Sequence, residues 1–191
     1  MYTNIKELQQ LAKERAVPMW QIILENEKLL LECRDDEIWD GLQKRLAVMK
    51  DSVSQALKRP FETEGGMISG IASRQFTYAS EQSSVSGSFI NLLMARALFC
   101  SEVNAAMGKI CAAPTAGSCG ILPAVLISVS ERNGQAEAEI LKALLLASGL
   151  GAIVMKNATV AGAEGGCQAE CGVAAAIAAA ASVQLCGGND Q

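Results

Sequence analysis

Apolar residues recur at helical spacing through the first third of the chain. Asn4 and Glu7 resemble a helix-capping box with Asn in the hydroxyl role, and Ile5, Leu8 and Leu11 follow at one-turn intervals. Pro18 interrupts the pattern, and Trp20, Ile23, Leu24 and Leu30 predict a second helix. Asp35 and Asp36 favour the next start, because carboxylates suit a helix N-terminus. Ile38, Leu42, Leu46, Met49, Val53 and Leu57 then step by three or four residues, which predicts one long amphipathic helix closed by Arg59-Pro60. Residues 60–87 carry Gly65, Gly66, Gly70, Ser83, Ser84, Ser86 and Gly87 and read as a flexible connector. From residue 88 charge nearly disappears. Segments 88–108, 121–131, 136–154 and 169–186 read as helices apolar over much of their surface, hence buried. Alternating β-branched runs are scarce. The predicted fold class is all-α, a helical bundle with amphipathic N-terminal helices and a buried Ala/Gly-rich helical core. Its expected organisation is 1–58 as an N-terminal helical segment, 59–87 as a connector and 88–191 as the helical core.

Composition sharpens this picture. Half the residues are apolar but only 4% aromatic, so alanine fills much of the core and helices can approach closely. The net charge of −4, from 16 basic and 20 acidic residues, lacks the basic excess of a nucleic-acid binder. No histidine is present, which removes the commonest general acid/base, any Ser-His or Cys-His pair and histidine-based zinc sites. The start, Met1 to Leu11, is too polar for a leader peptide. The longest apolar stretch, Leu141 to Met155, contains Lys142 and is shorter than the ~20 residues a membrane span needs. Seven cysteines, an odd number, fit a cytoplasmic protein with free or metal-binding thiols.

Two polar loops interrupt the apolar half. The first, Ala113–Gly120, offers the hydroxyls of Thr115 and Ser118 and the flexible backbone of Gly117 and Gly120. Ser118 could cap the following helix and aim backbone N–H groups at a small carboxylate, or the loop could be a tight interhelical turn. The second, Lys156–Gln168, brings Lys156, Asn157, Glu164 and Cys167 together, with Glu170 and Cys171 just beyond. Cys167 and Cys171 share a face if the segment is helical, yet a lone pair of that spacing is a weak metal signal. Glu164 and Glu170 could act as acid or base, or simply cap a helix. Cys33, Cys100 and Cys186 read as packing residues.

Three ordered blocks resemble the iron–sulfur-dependent L-serine dehydratases, alpha chain: Ser101-Glu102-Val103-Asn104-Ala105-Ala106-Met107-Gly108, Ala112 through Pro123, and Gly162-Ala163-Glu164-Gly165-Gly166-Cys167-Gln168-Ala169-Glu170. The resemblance implies conversion of L-serine to pyruvate and ammonia by a [4Fe–4S] cluster held by three cysteines, with iron acting as Lewis acid on the substrate hydroxyl. Carried over, Cys167 is a cluster ligand and Cys171 is not. Thr115, Gly117, Ser118 and Asn157 are expected to line the substrate, and Lys156 and Glu164 are the local candidates for the base. The family's Asn-Ala-Ser-(Ile/Val)-Ser-Gly-Ala run reads here with Thr159 and Ala161 at the serine positions, which loses one hydroxyl. Its other two ligands lie in a Cys-Asp-Pro … Val-Pro-Cys segment, whereas this sequence runs only to Gln191. The expectation is therefore a truncated chain that by itself binds no cluster and is inactive, associating with a beta subunit or a second copy through an uncovered apolar face. Alternatives are a helical scaffold that kept the fold and lost the chemistry, and a hydro-lyase acting on another β-hydroxy acid.

Overall fold

The computed structural model describes residues 1–54, 62–80 and 84–189. Among these, eight helices and no strand occur: α1 (Ile5–Arg15), α2 (Met19–Leu31), α3 (Asp35–Ser54), α4 (Ile71–Ala79), α5 (Gly87–Ala105), α6 (Ile121–Asn133), α7 (Glu137–Asn157) and α8 (Gly162–Leu185). The fold is an all-α bundle.

The predicted N-terminal signals operate as local chemistry requires. The Asn4 side chain accepts from the Glu7 amide at 3.0 Å, and the Glu7 carboxylate accepts from the Thr3 amide at 2.6 Å. The Thr3 amide first, then the Thr3 hydroxyl and the Asn4 side-chain amide, hold the Glu7 carboxyl below its ordinary range. Leu8, Ile23, Leu46, Leu126, Leu144 and Leu185 share one hydrophobic core, so the N-terminal helices and the alanine-rich helices bury the same interior. Each such side chain stabilises the fold by about 1.5–3 kcal/mol. Within α8 the buried residues are Ala174, Ile177, Ala178, Ala181 and Leu185, one helical face packed on α6 and α7. Small residues set the helix spacing: a Cβ at Gly149 of α7 would lie 2.6 Å from Ile23 of α2.

Several expectations are corrected. The connector contains α4, whose Ala72 packs against Ala95 and Phe99 of α5. A nine-residue helix between glycine and serine runs leaves little periodic signal, and its stability comes from α5. The Glu102 carboxylate of α5 accepts from the Ala72 amide at 3.1 Å, capping α4 from another helix. Leu57, Arg59, Pro60 and Ser83 lie outside the described residues. Leu30 is exposed with Leu29 and Leu31, because α2 packs through Met19, Ile22, Ile23 and Leu24 and its last turn overshoots the core. α7 reaches Asn157, and α8 begins at Gly162, so the second loop contracts to residues 158–161. Gly166 (φ 75°, ψ 172°) kinks α8 after its first turn, a conformation that glycine adopts without steric cost. α7 and α8 each have the length and apolarity to cross a membrane, α7 mostly buried in the core and α8 22% buried.

Candidate functional site

The loop between α5 and α6 folds around its own hydroxyls. Thr115 Oγ1 and Ser118 Oγ are 3.1 Å apart, and Ser118 Oγ also donates to the Ala113 carbonyl at 3.3 Å. Ser118 is buried and Thr115 half-buried. Ser118 is therefore not the cap of α6. Gly120 holds that place with no side-chain bond, and the serine hydroxyl is turned back into the loop. A Cβ on Gly120 would strike the Ala97 carbonyl of α5, so this glycine sets the approach of loop to helix. Asn104 Nδ2 donates to the Ala116 carbonyl at 3.2 Å, tying the loop to the end of α5.

The loop meets α8 at Glu170. The Thr115 hydroxyl donates to Glu170 Oε1. A Cβ on Gly117 would lie 2.5 Å from the same oxygen, and a Cβ on Gly162 would lie 2.6 Å from Oε2. Two glycines from two separate segments thus let one half-buried carboxylate pack against their backbones. The sequence marks Glu170 only as one of two acidic possibilities. The paired glycines are the signal that could have singled it out, and only folding shows that they face the same side chain.

Cys167 follows the kink and is exposed, with its Sγ 3.6 Å from that of Cys171 one turn on. The hydrogen bond with Cys167 is the main cause that pushes the Cys171 thiol up. Among the described residues no group of three or more His, Cys, Asp or Glu side chains converges as a metal site. Cys167 suits a soft iron centre as one thiolate ligand, and a closed site would need donors from outside these residues.

The remaining expected residues make other contacts. Glu164 Oε2 accepts from Thr159 Oγ1 at 2.7 Å, both exposed. Asn157 ends α7 and donates to the Thr3 carbonyl at 2.9 Å and the Ile153 carbonyl at 2.8 Å. Lys156 is exposed and lends positive potential to Glu7. Cys100, read from sequence as a packing residue, is buried and lies 3.6 Å from the equally buried Cys119, the residue after Ser118. That contact lowers Cys100 to about 7, while the same contact and burial push Cys119 up.

These groups define a helical core with a polar, thiol-bearing junction where one interhelical loop meets the start of α8. Residues 14–191 match the model of the serine dehydratase alpha chain family, and the chain belongs to that family. It is 42% identical over 189 residues to "L-serine dehydratase, alpha chain" of Peptoniphilus asaccharolyticus, covering 99% of this chain and 65% of that protein. It is 35% identical to "Probable L-serine dehydratase, alpha chain" of Bacillus subtilis (strain 168) over 191 residues, 100% of this chain and 63% of the relative. Identity to "L-serine dehydratase" of Streptomyces coelicolor is 32%, over 97% of this chain and 41% of that protein. The chain thus spans less than two thirds of the length of these relatives.

Proposed function

We propose that this chain supplies the substrate loop and one metal ligand of an L-serine ammonia-lyase, which converts L-serine to pyruvate and ammonia. The observation that carries this reading is the junction of Thr115 and Glu170, which seats a hydroxyl-bearing loop beside the helix start that exposes Cys167. The relatives named as L-serine dehydratases support it.

Cys167 would hold one corner of a [4Fe–4S] cluster, the other ligands coming from outside the described residues. Such a cluster, when bound, supplies a Lewis acid to the departing hydroxyl. This chain's own residues bind and orient. The Thr115–Ser118 loop, with Gly117 giving close backbone approach, receives the substrate's carboxylate, while Asn157 ties the end of α7 to Thr3 and lies outside this contact. Lys156 and Glu164 are the candidates to take the Cα proton. The β-hydroxyl leaves as water, and the aminoacrylate tautomerises and takes up one water to give pyruvate and ammonia, so that atoms balance. The seven free cysteines support a cytoplasmic setting. Ala175, Ala176, Ala179 and Val183 form an exposed apolar face on α8 that supports a subunit partner, a beta subunit or a second copy. The net charge of −4 supports a non-nucleic-acid role.

The test is anaerobic purification of the chain with its co-expressed partner, iron analysis and a pyruvate assay. L-serine should yield pyruvate in the complex, and Cys167→Ser should remove bound iron and turnover while helicity stays unchanged. The chain without its partner should hold no four-iron cluster. Pyruvate formation that survives Cys167→Ser overturns the reading.

A further inference from the structure

We propose that Glu170 is the specificity residue that receives the substrate's α-ammonium group. The inference rests on the serine-lyase reading and assigns a role within that site. An amino-acid substrate that is not bound covalently through its nitrogen presents a cation, which needs an anion beside it. Glu170 meets the requirement in three independent ways.

First, it is placed at the loop-to-helix junction, bonded to Thr115 and one helical turn after Cys167 on the same helix. A substrate held by the loop at one end and facing Cys167 at the other therefore passes this carboxylate. Second, its charge is uncompensated. Every basic residue in an ion pair among the described residues is matched to a different acid: Arg15 to Glu25, Lys28 to Asp35, Arg34 to Asp36 and Glu37, Lys50 to Glu137, Arg96 to Glu131 and Lys142 to Glu139. A carboxylate that no side chain of the protein neutralises is available to pair with a cationic ligand. Third, its two oxygens are differently engaged. Oε1 takes the Thr115 hydroxyl, while Oε2 accepts no hydrogen bond from the described residues and lies beside Gly162, whose lack of a Cβ leaves it room. Glu164 is the other nearby carboxylate, and its Oε2 already accepts from Thr159 on an exposed surface.

A merely structural tie makes a different prediction. Glutamine at 170 keeps an oxygen for Thr115 and loses only the charge. Glu170→Gln in the assembled enzyme should raise the dissociation constant and KM for L-serine about 10- to 100-fold, the range for one charge-assisted hydrogen bond. Binding of 3-hydroxypropanoate, which keeps the carboxylate and β-hydroxyl but lacks the ammonium, should stay unchanged or tighten. Binding is read by calorimetry, independently of turnover. Gly162→Ala gives a second arm that retains the charge: the new Cβ displaces Oε2, and serine should weaken selectively again. Equal weakening of both ligands, or no weakening of serine, in either variant overturns the assignment while leaving the lyase reading intact. Failure of the wild-type enzyme to bind L-serine overturns both, and the two failures are distinguished by which protein shows them.

Discussion

The Thr115 hydroxyl and the Glu170 carboxylate meet across 55 positions of sequence, and through them the α5–α6 loop is fixed to α8. A hydrogen bond to a charged acceptor in a half-buried site is worth about 1.5–3 kcal/mol. Thr115→Val should therefore lower unfolding stability in urea by roughly that amount and raise hydrogen exchange at residues 113–118. Thr115→Ser, which keeps the hydroxyl, should stay within about 0.5 kcal/mol of the parent. A loss for Thr115→Ser with none for Thr115→Val would assign the contact to packing of the methyl group instead.

Two glycines in α7 offer an internal control. A Cβ at Gly149 would lie 2.6–2.7 Å from three atoms of Ile23, a side chain with no exposed surface. A Cβ at Gly151 meets nothing within 4 Å. Gly149→Ala should destabilise by about 1–3 kcal/mol through overpacking, and Gly151→Ala should stabilise by about 0.5–1 kcal/mol through helix propensity. Denaturant melts of the two variants check the opposite signs.

Glu102 is buried and caps α4 through Oε1, while its Oε2 has no hydrogen-bond partner among the described residues. Glu102→Gln keeps the acceptor for Ala72 and should leave α4 folded. Glu102→Ala leaves the Ala72 amide unsatisfied beside a small cavity and should cost about 1–3 kcal/mol. Exchange protection confined to residues 71–79 locates the effect.

Alkaline pH should loosen the N-terminus. Burial, with a smaller contribution from the Glu27 charge, pushes the Tyr2 hydroxyl up from 10.0 to about 12. A group whose folded value is raised stabilises the fold fully below its unfolded value and loses that contribution as pH rises through the folded one. The loss should therefore run from pH 10 to about 12. Tyrosinate absorbance, with Tyr2→Phe to assign the late phase, measures it. A Tyr2 transition centred at 10 would contradict the burial.

The α1 cap, α3 and the apolar helices α5 to α8 were legible in the sequence, because spacing and capping are local properties of consecutive residues. The predicted face of α3 is the one that is buried, through Leu42, Leu46, Met49 and Val53. α4 was not legible, since a short helix stabilised by Phe99 and by a carboxylate thirty residues away carries no complete signal of its own. Leu30 lies in α2 as its spacing predicts, yet it is exposed: periodicity marks an apolar stripe, and only the partner helix decides how far along it burial extends.

The site divides along the same line. The sequence by itself determined the family and the order of its hydroxyl-bearing loop and cysteine-bearing segment, because these are fixed by the order of residue types along the chain. Only the tertiary structure decided that Ser118 turns inward, that the Asn157 amide bonds the Thr3 carbonyl ahead of α1, and that Glu170 closes the loop against α8. Those outcomes depend on which backbones come close enough for a side chain to reach, and in this bundle that closeness is set by small residues such as Gly117, Gly120 and Gly162 meeting partners far away in sequence.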